Sequence, residues 1–177
     1  RERVPPQALE ARAAHRPRAL LLRALAVNDA GMIVAVRLGA AEFGLPIERV
    51  REVLAPPPIT RVPFVPTAIC GVTSVRGTIL PVLDLGLRLL GSEAARPGRL
   101  VVVGAGEGVG PVGLLVDAVT GLVEAPAEAI QAPPVEAEAT LPVGFILGVV
   151  AAEAGRLVTL LDLSRVLDLV EHAEQEL

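Results

Sequence analysis

Lysine, tryptophan and tyrosine are absent from this chain of 177 residues, cysteine occurs once and histidine twice. Each absence removes a class of function. With almost no aromatics for base stacking and a net charge of −4, the chain is not expected to bind nucleic acid. A carbohydrate site built without Trp or Tyr is not expected either. Cys70 can form no intramolecular disulfide, and its neighbours in FVPTAICGV include no His or Lys to lower its pKa, so it reads as a buried structural thiol. The absence of lysine is attributed to GC-biased codon usage rather than to function. Long apolar runs are missing as well. The longest uncharged stretches, Val62 to Val75 and Ala139 to Ala152, have 14 residues each and contain proline. A membrane-crossing helix needs roughly 20 residues, so a soluble protein without direct membrane insertion is expected. The chain begins at Arg1 rather than Met, and RERVPPQALEARAAHRPRAL shows no secretory signal.

What is present is aliphatic. Hydrophobic residues make up 52% of the chain and mean hydropathy is +0.58, carried by Val, Leu, Ile and Ala with three Phe, which suits a β protein of short strands. Charge is unevenly placed. Residues 1–28 hold six Arg against two Glu, a surplus of +4, so the remainder carries −8. That first segment reads as a helical N-terminal arm in two pieces, PPQALEARAAHR and RALLLRALAV, separated at Pro17. After the turn signal Asn28-Asp29-Ala30-Gly31 come short apolar runs punctuated by Gly and Pro: MIVAVRL, EFGLPI, PPITRV, ICGVTSV, TILPVLD, RLVVVG, PVGLLVD, GFILGVV and RLVTLLD. These are read as strands.

The chain also repeats itself. Phe43 to Leu54 can be laid on Val112 to Val123, Ile69 to Val72 on Ile146 to Val149, and Ile79 to Leu85 on Leu157 to Leu163, with the blocks in the same order. Residues 29–177 are therefore expected to form a single domain of two subdomains, about 32–91 and 99–169. Each would hold about five short strands and a closing helix, a unit suited to a small barrel. Asp84 and Asp162 end the corresponding blocks just before GLRLLG and SRVLDLVEH, where a carboxylate can cap the first turn. We read both as caps rather than catalytic or metal-binding groups.

Catalytic motifs fail on inspection. The strand-like run Leu100-Val101-Val102-Val103 leading into Gly104-Ala105-Gly106-Glu107-Gly108-Val109-Gly110 suggests a dinucleotide loop; however, Val109 stands where the third glycine belongs, and a strand, PVGLLVD, follows where a helix is needed. A hairpin turn is expected there. His15 and His172 lie outside the repeats, so no Ser/His/Asp or Cys/His site can be assembled within one unit. The carboxylates Glu48, Glu52, Asp84, Asp117 and Asp162 are scattered over cap and loop positions rather than clustered as metal ligands. No enzyme, cofactor or metal is expected.

In GVTSVRGTILPVLDL, strict alternation puts Val75 and Ile79 on one face and Ser74, Arg76 and Thr78 on the other. Arg76 should thus point outward at a bend permitted by Gly77. It is either a solvated arginine or an interface anchor, since Arg is enriched among binding hot spots. The second copy shows no arginine at that place, only Glu153 nearby.

The run Ile69 to Leu85 resembles the signature block G-V-x-x-x-R-G-x-x-x-P-V-x-D-L of the CheW-like chemotaxis coupling proteins. The likeness extends from Met32 to Leu169 through FGLPIERVREVL, ITRVP, VGLLVDAV, IQAPP and GRLVTLLDL. It implies two five-stranded SH3-like barrels around a shared core. It also implies a non-enzymatic, cytoplasmic adaptor, recruited to membrane receptor clusters, that joins the cytoplasmic tips of chemoreceptors to the regulatory domain of the histidine kinase CheA. Carried over position by position, the receptor and kinase contacts fall on Val50, Glu52, Gly71 and Arg76. A second kinase contact falls on Ile130, Gln131, Pro134 and Val135. There this chain has Gln131, Val135 and Glu136 where relatives often place a basic residue and an aromatic. The alternatives are a coupling scaffold of another receptor-kinase pathway, such as pilus motility, or a domain cut from a larger signalling protein.

Overall fold

The computed structural model describes residues 31–93, 98–106, 109–133, 141 and 144–175. The helical arm expected over residues 1–28, like Pro134 and Val135, lies outside the described residues. Ten strands run β1 (Met32–Leu38), β2 (Ala41–Pro46), β3 (Val50–Leu54), β4 (Ile69–Val75), β5 (Thr78–Asp84), β6 (Arg99–Gly106), β7 (Val109–Val116), β8 (Ala118–Glu124), β9 (Ile146–Ala151) and β10 (Leu157–Leu161). Helix α1 (Leu85–Leu90) follows β5 and helix α2 (Leu163–Gln175) follows β10.

The strands form two five-stranded sheets, ordered β8-β1-β2-β10-β9 and β3-β6-β7-β5-β4. Replacing each strand of the first sheet by its mate in the sequence repeat reproduces the second. The duplication is thus a property of the fold as well as of the sequence. The two sequence copies are not the two sheets, however. The first sheet joins residues 32–46 to 118–161, and the second spans 50–116, which corrects the subdomains expected at 32–91 and 99–169. The chain changes sheets after β2, through a short 3-10 turn at Ile47–Arg49, and again after β7, through Asp117 alone.

The exchange places each central hairpin between two cores. In β1, Ile33 and Ala35 face the interior of the first barrel while Val34, Val36 and Leu38 enter the core between the barrels. In β6, Leu100 and Val102 line the second barrel, and Val101, Val103 and Ala105 the shared core. Strands buried on both faces lose polar alternation, which explains the unbroken runs MIVAV and LVVVG. A five-stranded barrel is narrow. A Cβ on Gly44 would stand 2.7 Å from Ile33 Cδ1, and one on its repeat mate Gly113 would stand 2.8 Å from Leu100 Cδ1. Each glycine leaves that space to the aliphatic side chains filling its barrel.

Two runs differ from their sequence reading. PPITRV forms no strand; only Thr60 pairs, with Val72. Val50–Leu54 and Ala118–Glu124 are strands instead, outermost in the hydrogen-bonded order of their sheets. Gly104 and Gly106 lie in β6 and Gly110 in β7, and Gly106 pairs with Val109, so a strand rather than a helix follows these glycines.

Both expected caps are in place. Asp84 Oδ1 accepts the Leu87 N–H at 2.9 Å, and Asp162 Oδ1 accepts those of Ser164 and Arg165 at 3.1 and 3.3 Å. Asp84 is fully buried, so losing its carboxylate strands a donor away from water. Asp84→Ala should therefore cost about 1–2 kcal/mol in a denaturant titration, and Asp84→Asn less, with partner binding retained in both. Loss of binding at unchanged stability would instead move Asp84 into an interface. Arg88 of α1 braces the two helices, lying 4.7 Å from the Phe145 ring centroid and reaching the Val166 carbonyl at 3.4 Å. Desolvation lowers its pKa and the nearby Asp168 opposes that shift.

Candidate functional site

Strand β3 carries V-R-E-V-L along the outer side of the second sheet. Its ladder with β6 contains a bulge: Val50 pairs with Val103 and Glu52 with Val102, so Arg51 is the extra residue between them. Glu52 consequently shares the face of Val102, which lines the barrel interior. Val50 is half-buried against the shared core, and Arg51 and Val53 are exposed.

The β4–β5 hairpin turns on two residues, Arg76 and Gly77, at φ 50° and 82°. Two successive left-handed residues match the right-handed twist of a tight hairpin, and glycine takes the second without penalty. Because Val75 pairs with Thr78 and Ser74 with Ile79, the turn flips the parity of the strand. Ile79 therefore does not share the inward face of Val75, as strict alternation suggests; it is 74% exposed on the outer surface.

Arg76 is neither buried nor free. Its Nε donates to Glu52 Oε2 at 3.0 Å, with the arginine side chain 82% exposed and the glutamate 28%. The structure thus brings two residues 24 positions apart into one exposed ion pair. Such a surface pair contributes only about 0–1 kcal/mol to folding, so its value as a positioned charge exceeds its value to stability.

Gly71 is buried rather than displayed. Its φ is 140°, and a Cβ there would overlap the Thr60 carbonyl oxygen and stand 2.7 Å from the Thr60 carbonyl carbon. That space is needed by the strap 55–60, which closes the barrel. Thr60 and Val72 exchange two backbone bonds of 2.8 Å, and Thr73 Oγ1 donates to the Pro58 carbonyl at 2.8 Å. On the other barrel the repeat mates do the same: Gln131 and Val149 exchange two bonds of 2.9 Å. The structure so places Ile130, half-buried against the first barrel's core, and Gln131, with an exposed side chain, in the equivalent strap. They are not gathered with Val50, Glu52 and Arg76.

The second copy is not devoid of an arginine. The β9–β10 connection carries Arg156, whose Nη1 donates to both carboxylate oxygens of Glu42 at 2.8 and 2.7 Å. Alignment by single positions hides this, because a 3-10 turn at Glu153–Gly155 lengthens that connection. Cys70 is half-buried, on a groove of about 450 Å³ shared with Ile59, Arg61, Val65, Leu87 and Glu93. Sequence reading also passes over Arg49 and Arg51, whose only signal is two arginines flanking Val50. Among the described residues no three His, Cys, Asp or Glu side chains come together as metal ligands, and no helix is long and apolar enough to cross a membrane. The arrangement offers aliphatic surface and positioned charge, the materials of a protein interface.

Comparison with known proteins gives this geometry a context. The family model described as the CheW-like domain matches residues 32–171. The chain is 36% identical over 140 residues to "Chemotaxis protein CheW" of Rhizobium meliloti (strain 1021), covering 78% of this chain and 88% of that protein. It is 40% identical over 135 residues to "Protein FrzA" of Myxococcus xanthus, covering 74% and 81%. Among solved structures, scaffolding protein TtCheW from Thermoanaerobacter tengcongensis superposes with a TM-score of 0.68 at 28% identity, over 78% of this chain and 93% of that one.

Proposed function

Because the chain belongs to the CheW-like domain family, and because chemotaxis coupling proteins are among its relatives, we propose that it works by binding alone, holding chemoreceptor tips and the regulatory domain of the kinase CheA in one complex. The observation that carries the reading is the Arg76–Glu52 pair, an exposed, pre-positioned charge next to the aliphatic surface of β3. Signalling then passes through interface geometry, with no bond made or broken and no cofactor. Val50, Glu52 and Arg76 form the surface of the main contact, and Gly71 acts beneath them by seating the strap. Ile130 and Gln131, with Pro134 and Val135, form the second kinase contact. The protein works in the cytoplasm, at clusters of membrane receptors. Its likeness to FrzA favours, as second reading, the same coupling role in another receptor-kinase pathway.

Reconstitution tests this directly. A purified receptor cytoplasmic fragment and the kinase regulatory domain should co-elute on size exclusion only when this protein is added. If it binds neither, the adaptor reading fails. Calorimetry with ATP or NAD should show no micromolar binding; a clear isotherm would revive an enzymatic reading.

A further inference from the structure

Each sheet exposes an aliphatic side chain on its outermost strand. Leu122 of β8 is 60% exposed, although it pairs with Val34, whose side chain on the same face is buried in the shared core. Its repeat mate Val53 of β3, 43% exposed, pairs likewise with the buried Val101. The shared core thus runs out to the surface at both edges. Their charges differ. Arg51 stands near Val53 on β3, whereas residues 118–130 contain no cation and display Glu124 and Glu128. Glu124 belongs to one copy of the repeat, since Ala55 holds the corresponding place after Leu54 in the other. The start of the fold is tied to that same edge. The Gly31 carbonyl accepts the Ala125 N–H, a Cβ on Gly31 would stand 3.1 Å from Pro126 Cα, and Met32 pairs with Glu124. Gly31 has a left-handed φ of 56°, a conformation that suits a chain reversal just before β1.

We infer that residues 18–27 of this chain's own arm fold back at Gly31 and cover β8, with leucines on Leu122 and Arg23 against Glu124. As a helix, RALLLRALAV sets Arg18, Leu21, Leu22 and Leu25 on one face at the spacing i, i+3, i+4, i+7. Such a helix is about 15 Å long. The strand from Glu124 back to Ala118 measures about 20 Å, so the segment matches the surface it covers. Charge chooses between the two edges. Residues 1–28 carry +4 against −8 for the remainder, and a guanidinium is drawn to Glu124 but repelled by Arg51 at the β3 edge. Because the arm is tethered beside β8, the contact is intramolecular and weak individual pairs suffice. The arm then shields an aliphatic patch and an outermost strand from other molecules, and salt loosens it. This holds or falls independently of the adaptor reading.

The test is crosslinking in the full-length chain. With Cys70→Ser as background, Ala19→Cys places one thiol in the arm, and a second is placed on β8 by Thr120→Cys or, as control, on β3 by Val53→Cys. A short bismaleimide joins them, and thermal melts establish that the variants fold alike. The expected result is a link within one chain that forms faster to position 120 than to position 53. Glu124→Arg should slow the link to position 120 by about fivefold or more, since attraction becomes repulsion. Arg23→Glu, which alters neither barrel, should slow it equally, and the two exchanges combined should restore it. High salt should slow the wild-type link as well. Equal rates at positions 120 and 53 overturn the inference, as does a link indifferent to both charge reversals. Links formed only between two chains overturn it too, showing that the arm serves a second copy.

Discussion

Gly71→Val is expected to destabilise the protein by about 2–6 kcal/mol, the largest effect of any single substitution considered for the second barrel. Two costs combine. At φ 140° the backbone occupies a region open to glycine and strained for a β-branched residue. The new side chain must also displace backbone, since the atoms in its way are the Thr60 carbonyl and Arg61 Cα, the latter 2.9 Å from the Cβ position. The strap cannot yield without losing the Thr60–Val72 bonds that close the barrel. Gly77→Ala is the matched control: φ is again positive, at 82°, but nothing lies within 4 Å of its Cβ position. It should cost about 1 kcal/mol. Denaturant titrations of the two variants decide the matter, and equal losses would show that the close approach to Thr60 contributes nothing.

Arg76→Asp should leave the fold intact while weakening partner binding by about 2 kcal/mol or more, roughly thirtyfold. Folding is spared because the side chain is mostly solvated, its pair with Glu52 is worth little, and Asp tolerates the left-handed conformation that Arg76 adopts at φ 50°. Binding suffers because a cation held in place by Glu52 is replaced by an anion beside it. The exchange Arg76→Glu with Glu52→Arg separates two explanations. If the pair acts only by stiffening the barrel mouth, the reversed pair restores binding; if Arg76 touches the partner, binding stays lost. Wild-type affinity for both partners in correctly folded Arg76→Asp would remove Arg76 from the interface.

Local signals in the sequence prove sound where the physics is local. Asp84 and Asp162 announce caps because a carboxylate before a helical run serves donors two or three residues away. The glycines from Gly104 to Gly110 announce a hairpin because the texture on both sides is that of strands. Parity at Ile79 misleads because alternation holds within a strand and not across a two-residue left-handed turn. Strand β3 escapes a reading of the sequence because Arg51 and Glu52 stand side by side at its bulge and break the polar–apolar alternation, and its pairing depends on Val101 to Val103, about 50 residues on.

Taken alone, the sequence determined the β class, the duplication, the order of the repeated blocks, the caps and the turn at Arg76-Gly77, all of which depend on neighbours along the chain. Tertiary structure alone decided that the copies trade strands, that Glu52 meets Arg76, that Gly71 makes room for Thr60, and that Arg49 reaches the Gly104 carbonyl. The physical reason is the shared core. Strands buried on both faces carry no polar alternation to mark which sheet each face serves, so their partners are chosen by packing between residues distant in sequence.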